Sequence, residues 1–215
     1  TTNRFCMDGA YGDGISSAIA RMRAGDAFVD IGANAGLFSI LAARAVGETG
    51  AIVAFEPQQR LAAELLQNAR INGAGNVFVV GAAVGASTCI ARMEVPARHS
   101  GTAFVTKGEG SPVFMVGPDV VLPLLHAYVG KRATLIKIDV EGAELSVLRA
   151  LESTLAQLDV AAVIVEIDDK LLARAGSSRG EIYRYVSDQG FLPEKGEDTT
   201  GHFDEIFVNA RRLSQ

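Results

Sequence analysis

Short, predominantly apolar runs alternate along this chain with longer segments in which apolar residues recur at helical spacing. The apolar runs cover residues 27–31, 52–55, 77–80, 134–138 and 162–167. Between the second and third runs, Leu61, Leu65 and Ala69 follow an i, i+4 spacing. Continuous apolar runs are typical of strands that are buried on both faces, and the intervening spacing is typical of helices. The pattern predicts an α/β fold, with a mostly parallel sheet and helices on both faces.

Weaker signals complete the predicted elements. A lead-in helix is predicted over 15–23, within residues 1–24, and further helices over 35–45, 57–71 and 143–155. Ser178 and Glu181 form a capping box for a helix that ends near Gly190. Two last strands, near 191–193 and 205–209, are predicted to form an antiparallel edge. The length fits a single domain over residues 1–215.

The alternation breaks between residues 82 and 119. Residues 82–95 suggest one or two extra strands, whereas residues 96–119 are rich in glycine and proline and show no helical period. A long segment without regular structure is usually functional or mobile. We interpret residues 82–119, called the insertion below, as a flap on the substrate side of the domain. The alternative is an inert surface excursion.

The turn after the first predicted strand carries the clearest chemical signal. Asp30, Gly32, Asn34 and Gly36 follow the pattern D-x-G-x-N-x-G directly before a helix. The glycines permit a sharp bend and the close approach of a ligand, and a helix start offers unpaired N–H groups. Asn34 and Leu37 break the G-x-G-x-x-G dinucleotide fingerprint. Asp30 would repel a pyrophosphate but attract the ammonium and sulfonium groups of S-adenosylmethionine.

A second carboxylate supports a cofactor that contains a ribose. Glu56 ends the second predicted strand and precedes Pro57, which suits the first turn of a helix. A carboxylate at this position can accept hydrogen bonds from both ribose hydroxyls. Asp30, Gly32, Asn34, Gly36 and Glu56 are therefore candidate cofactor-binding residues.

These segments resemble the FkbM-type branch of the class I S-adenosylmethionine-dependent methyltransferases. Residues 68–73 (NARING), 136–144 (IKIDVEGAE) and 163–167 (VIVEI) extend the resemblance, and 136–144 is the most distinctive. The match is close over about residues 25–167. It implies a Rossmann-like, seven-stranded sheet of order 3-2-1-4-5-7-6 whose last strand is antiparallel. It further implies S-adenosylmethionine as the cofactor, S-adenosylhomocysteine as the product, and Ala82 beside the adenine.

The resemblance also implies O-methylation of a hydroxyl on a small metabolite, glycan or polyketide-like acceptor. A hydroxyl is a poor nucleophile until its proton leaves, and a carboxylate can accept that proton. Asp139 and Glu141 lie where the fourth strand ends, so both are candidate catalytic residues. Asp139 is also a candidate cofactor contact. Glu144, in the first turn of the next helix, is interpreted as compensating the helix dipole.

Glu166 interrupts the fifth apolar run, where a buried carboxylate needs a partner. Either it meets Lys137 on the neighbouring strand, or it faces the active site. Asp139 and Glu166 could instead hold Mg²⁺, which prefers oxygen ligands. This alternative is secondary, and no metal is expected.

Two of the three histidines offer alternative proton acceptors. His99 lies in the insertion and His202 precedes the last predicted strand, so either could act as the base. His126 lies in an apolar stretch and is interpreted as structural.

Composition narrows the possible partners. The net charge of −5 and the lack of a basic run argue against a nucleic-acid partner. No apolar run approaches the ~18 residues that span a bilayer, so no membrane partner is expected. No signal segment is visible, and Cys6 and Cys89 match no metal spacing. A cytoplasmic location with free thiols is therefore expected.

Two other functions stay open. A nicotinamide-dependent oxidoreductase could share this sheet, although the broken glycine fingerprint disfavours it. A non-catalytic S-adenosylmethionine-binding protein is disfavoured by Asp139 and Glu141.

Overall fold

A computed structural model of the protein describes residues 13–95, 104–106, 108–196, 199 and 201–213. The strands are β1 (Ala27–Ile31), β2 (Ala51–Phe55), β3 (Val77–Val80), β4 (Ala83–Val84), β5 (Cys89–Glu94), β6 (Phe104–Thr106), β7 (Ser111–Val116), β8 (Thr134–Ile138), β9 (Val160–Ile167), β10 (Phe191–Pro193) and β11 (Phe203–Asn209). The helices are α1 (Asp13–Ala20), α2 (Leu37–Val46), α3 (Gln59–Ile71), α4 (Pro118–Tyr128), α5 (Glu144–Ala150), α6 (Glu152–Gln157), α7 (Asp169–Arg174) and α8 (Arg179–Asp188), and a 3₁₀ turn follows at Ala210–Arg212.

The large sheet has seven strands in the order β10-β11-β9-β8-β1-β2-β3. Strands β3, β2, β1, β8 and β9 are mutually parallel, whereas β11 runs antiparallel to both β9 and β10. Read from β3, this is the 3-2-1-4-5-7-6 order, so the predicted fold class is confirmed. All five residues of β1 and all five of β8 are buried, because helices cover both faces of the sheet. None of the described helices has the length and apolar character needed to cross a membrane.

The insertion contributes to a second sheet of four strands in the order β4-β7-β5-β6. Strands β6 and β7 lie in the part of the chain where no regular structure was predicted, and that expectation was wrong for them. The structure of this region depends on antiparallel pairing between β5 and β7. Strands that pair across many residues of sequence leave no local period. Residues 96–103 and 107 of the predicted flap, with His99, lie outside the described residues.

Several predicted helix boundaries also differ from the structure. The helix predicted over 143–155 is divided at Leu151 into α5 and α6. Helix α4, which contains Pro123, and the short helix α7 were not predicted. One half of the predicted capping box is confirmed, because Ser178 Oγ accepts a hydrogen bond from the Glu181 N–H, while the Glu181 carboxylate accepts from Ser178 Oγ. Of the lead-in region, residues 1–12 and Cys6 lie outside the described residues.

A charged cluster is buried in the centre of this apolar sheet. The register places Asp30 of β1 directly beside Lys137 of β8. Lys137 Nζ lies 3.1 Å from Asp30 Oδ1, and Ser39 Oγ donates to Asp30 Oδ2 at 2.7 Å. The ammonium also lies 3.3 Å from Asp139 Oδ2 and donates to the Gly32 carbonyl at 3.1 Å. Burial alone would lower the pKa of Lys137, but the Asp139 and Asp30 carboxylates outweigh it and raise the pKa, so the ammonium stays charged.

Replacing Lys137 by methionine should therefore destabilise the protein strongly. Lys137→Met would leave Asp30 buried without its cation, and removing one partner of a buried ion pair typically costs about 3–5 kcal/mol. Urea denaturation followed by circular dichroism measures the change. Lys131→Met, at an exposed lysine before β8, is the matched control and should change stability by less than about 0.5 kcal/mol. Equal unfolding midpoints for Lys137→Met and the wild type would contradict this role.

Candidate active site

The predicted site residues meet at the carboxyl edge of the large sheet. The glycine turn (residues 32–36) follows β1, Glu56 follows β2, and Ala82 lies two residues beyond β3. Asp139 and Glu141 follow β8. Parallel α/β sheets bind ligands at this edge, because the loops that leave neighbouring strands converge there.

Close packing explains both glycines of the turn. Gly32, Asn34 and Gly36 have φ angles of 80°, 53° and 89°, all in the left-handed region. A Cβ atom at Gly32 would lie 1.8 Å from the Asp139 carbonyl oxygen, and one at Gly36 would lie 2.6 Å from Leu65 Cγ. Asn34 stabilises its own conformation, because its Oδ1 accepts a hydrogen bond from the Ala35 N–H at 2.8 Å. The turn therefore packs tightly against the end of β8 and against α3.

Asp30 lies beneath this turn. Its side chain is fully buried, and its two oxygens are bound by Ser39 and Lys137. Lys137 in turn donates to the Gly32 carbonyl, so Asp30 supports the turn through this lysine.

Glu56 joins the glycine turn to the start of α3. Its Oε2 accepts from the Asn34 N–H at 2.9 Å, and its Oε1 accepts from the Gln58 N–H at 2.8 Å. Burial raises the pKa of Glu56, and the two N–H bonds partly offset that effect. A carboxylate oxygen has two lone pairs, so each oxygen can accept a further hydrogen bond from a ligand hydroxyl.

Asp139 and Glu141 differ in their electrostatic surroundings. The Asp139 side chain is 28% exposed and pairs with the Lys137 ammonium. Glu141 has a left-handed backbone, with φ of 58°. Burial, together with the Asp139 and Glu144 carboxylates, raises the pKa of Glu141 to about 7. A carboxylate with this pKa is well suited to accept a proton at neutral pH.

Glu144 has a more specific contact than the helix-dipole role predicted for it. Its Oε1 accepts hydrogen bonds from the Val140 and Gly142 N–H groups at 3.1 and 3.0 Å. The buried carboxylate therefore holds the turn of residues 139–142, which carries both candidate catalytic residues. Burial raises the pKa of Glu144 despite these two bonds.

Glu166 lies at the same edge, beyond the point where β9 pairs with β8. The register places Ile164 beside Lys137, so of the two alternatives for Glu166 the contact with Lys137 does not form. Instead, Glu166 Oε1 lies 2.8 Å from His202 Nε2. Burial, with the Asp139 and Glu141 carboxylates, raises the pKa of Glu166 far above its usual range.

Asp204 is a further acidic residue at this edge of the sheet, and the sequence analysis missed it. It lies opposite Glu166 in the β9–β11 register, and burial followed by the Asp139 charge raises its pKa. Its position before an apolar run in the last strand was the available signal.

Within the described ranges, no group of three or more His, Cys, Asp or Glu side chains could hold a metal ion. The Mg²⁺ alternative at Asp139 and Glu166 thus lacks a third side-chain ligand there.

An apolar cavity adjoins the predicted adenine position. Its volume is about 440 Å³, and it lies between residues 80–82 and strands β5 and β7 of the insertion. Phe114, Met115 and Ala82 form part of its wall. Cys89, also in the wall, is an exposed free thiol.

Comparison with solved structures places this fold among known methyltransferases. A putative rRNA-methylase from Clostridium thermocellum superimposes with a TM-score of 0.54 and 13% identity, over 92% of this chain and 93% of that one. The cofactor-bound Rv0187 from MTB gives 0.55 and 15%, over 93% and 79%. A SAM-dependent methyltransferase from Aquifex aeolicus gives 0.51 and 11%, over 92% and 88%. At these identities the likeness establishes the fold.

Sequence comparison identifies the family. No curated protein matches the chain significantly. The profile of the family described as "Methyltransferase FkbM domain" matches residues 30–193, well over half of the chain. The matched region begins at Asp30 and includes the glycine turn, Glu56 and the turn of residues 139–142. The chain therefore belongs to the FkbM family of S-adenosylmethionine-dependent methyltransferases.

Proposed function

We propose that this protein transfers a methyl group from S-adenosylmethionine to a hydroxyl oxygen of a small metabolite, glycan or polyketide-like acceptor. The observation that carries this proposal is the Glu141 carboxylate, which is partly buried at the ligand edge and has its pKa raised to about 7. Transfer to oxygen needs a group that removes the hydroxyl proton, and Glu141 meets that need at neutral pH. Family membership favours methyl transfer over the nicotinamide-dependent alternative.

S-adenosylmethionine, when bound, supplies a methyl group on a positively charged sulfur, which an oxygen nucleophile displaces in line. Glu56 would accept hydrogen bonds from the ribose hydroxyls through the lone pairs that Asn34 and Gln58 leave free. Ala82 would leave room for the flat adenine ring. These assignments fit the donor and acceptor chemistry of the described side chains.

The glycine turn would hold the amino-acid end of the cofactor. Gly32, Asn34 and Gly36 would offer backbone carbonyl oxygens, since their N–H groups donate to Phe55, Glu56 and Ala33. Asp30 would fix the turn from below through Ser39 and Lys137. Asp139, which is partly exposed beside the turn, would face the cofactor's positive charges.

Glu141 would accept the proton of the acceptor hydroxyl, and Asp139 is the second candidate for this role. One Asp139 oxygen already faces the Lys137 ammonium, which leaves Glu141 as the carboxylate less engaged by a cation. The protein's main contribution would be the orientation of acceptor and methyl group, with proton removal added by this base.

The acceptor is proposed to carry little negative charge. Asp139, Glu141, Glu166 and Asp204 form an acidic edge, and the chain has a net charge of −5. A chain with this net negative charge would repel the phosphates of a nucleic acid. Some structural neighbours are named as rRNA methylases, and that substrate is a feature of those proteins. The apolar cavity of about 440 Å³ adjoins the position proposed for the adenine, and its size suits a small-molecule ring.

Removing the Glu56 carboxylate should weaken cofactor binding. We expect Glu56→Gln, which keeps the shape, and Glu56→Ala to raise the Kd for S-adenosylmethionine by roughly 10–150-fold, because hydrogen bonds to charged groups contribute about 1.5–3 kcal/mol. Isothermal titration calorimetry measures this change. Glu48→Ala, at an exposed glutamate in the loop before β2, is the control and should bind as the wild type does. Unchanged affinity in both folded Glu56 variants would rule out the ribose role.

Removing the Glu141 carboxylate should slow the chemical step. We expect Glu141→Gln to lower the single-turnover rate by ~10²–10⁴-fold, the usual contribution of a general base, with little change in cofactor affinity. The wild-type rate should rise as the pH increases through about 7, since Glu141 must lose its proton before it can accept another. Glu141→Gln should lose that dependence.

Asp139→Asn is the companion variant to Glu141→Gln. A larger rate loss in Asp139→Asn, with wild-type rate and pH profile in Glu141→Gln, would transfer the base role to Asp139. Near wild-type rates in both variants would show that neither carboxylate is the base.

A further inference from the structure

The turn that carries Glu141 is held from outside by helix α7. Glu141 and Gly142 have φ angles of 58° and 106°, and the first of these is unusual for a residue with a side chain. Arg174, at the end of α7, donates from Nη2 to the Glu141 carbonyl at 2.8 Å. A Cβ atom at Gly142 would lie 2.5 Å from the Leu171 carbonyl oxygen, so α7 packs directly against this turn.

Helix α7 is itself anchored at its start. Asp168 caps the helix, and its Oδ1 accepts from the Lys170 and Leu171 N–H groups at 2.8 and 3.2 Å. The cap fixes the first turn of α7, and Arg174 extends from its last position. The Arg174 side chain therefore reaches the Glu141 carbonyl from a helix whose first turn is fixed.

The Arg174 guanidinium also lies over an aromatic ring of the insertion. The Arg174 Cζ atom lies 3.9 Å from the centroid of the Phe104 ring. Phe104 begins β6, where it pairs with Glu94 of β5. One side chain thus contacts both the turn of the candidate base and the second sheet. A planar guanidinium can donate a directed hydrogen bond while it stacks on a ring, whereas a lysine ammonium lacks the flat face that stacking needs.

Arg174 is also the cation that most directly opposes the acidic groups around Glu141. Asp139 acts on Glu141 from its own turn, Glu144 from the first position of α5, and Asp168 from the residue before α7. All three are carboxyl groups, and Glu141 in turn raises the pKa of Glu166 on β9. The Arg174 charge lowers the pKa of Glu141.

We propose that Arg174 is a positioning residue that fixes the Glu141 turn in its left-handed conformation and couples this turn to strand β6 of the insertion. The inference rests on the proposed function, in which Glu141 accepts the acceptor's proton and the insertion lies on the acceptor side. Binding of the acceptor against the insertion would then affect the position of the Glu141 carboxylate through Phe104 and Arg174.

The stacking contact can be tested without any acceptor. The sequence contains no tryptophan, so Phe104→Trp introduces a single fluorescent reporter at this position. Arg174→Gln in the Phe104→Trp background should increase quenching of this tryptophan by acrylamide, because the covering guanidinium is lost. Arg184→Gln, at an exposed arginine on α8, is the matched control and should leave quenching unchanged. Equal quenching with and without Arg174 would overturn the coupling to β6.

The effect on the base is tested by titration of the Glu141 carboxyl carbon by NMR. Arg174→Gln keeps a hydrogen-bond donor but removes the charge, so the Glu141 midpoint should move up by about one pH unit, the lower end of the effect of a neighbouring charge. Arg174→Lys keeps the charge and should keep the midpoint close to that of the wild type. An unmoved midpoint in Arg174→Gln would overturn the proposal.

Turnover measurements distinguish a failure of this inference from a failure of the proposed function. With a methyl acceptor, Arg174→Gln should lower kcat by ~10-fold or more, because small misplacements of a catalytic group are costly, while cofactor Kd stays unchanged. Arg174→Lys should restore the wild-type pH profile but not the full rate. A wild-type protein that transfers no methyl group to oxygen contradicts the proposed function, whereas the quenching and titration results still decide the role of Arg174.

Discussion

The ammonium group of Lys137 lies at the centre of the large sheet and contacts groups from two neighbouring strands and their turns. It is within 3.1 Å of Asp30 Oδ1 and of the Gly32 carbonyl, and 3.3 Å from Asp139 Oδ2. Charges removed this completely from water are stable only when their neighbours compensate them. One cation therefore fixes the glycine turn relative to the start of the turn that carries Asp139. Both halves of the proposed site depend on it, because the cofactor would contact the first and the acceptor the second.

The position of this cation also explains why the carboxylates at the edge differ. Asp30 and Asp139 lie against the ammonium, whereas Glu141 and Glu166 lie farther along the edge, among other carboxylates. Burial without a comparable cation raises the pKa of Glu141 into the neutral range and that of Glu166 well above it. In the proposed reaction, Asp139 beside the ammonium would recognise the positive charge of the cofactor, and Glu141 would accept the proton.

Buried parallel strands are predictable from the sequence, because burial on both faces produces continuous apolar runs. The ends of these strands also mark the glycine turn, Glu56 and Asp139, which the sequence identified as candidate cofactor contacts. The second sheet was not predictable, since pairing between β5 and β7 depends on partners distant in the chain. Contacts of Arg174 with Glu141 and of His202 with Glu166 join residues 33 and 36 positions apart. Such contacts follow from the packing of α7 and β11 and leave no local pattern.

Binding of the cofactor at the carboxyl edge is tested most directly by a crystal structure of the complex with S-adenosylhomocysteine. We expect the ribose hydroxyls within hydrogen-bonding distance of Glu56, the amino-acid end against the glycine turn, and the sulfur on the side of Asp139 and Glu141. The Asp30–Lys137 pair should remain buried beneath the turn. A nucleoside bound away from Glu56, or an amino-acid end that does not contact the turn, would contradict this arrangement.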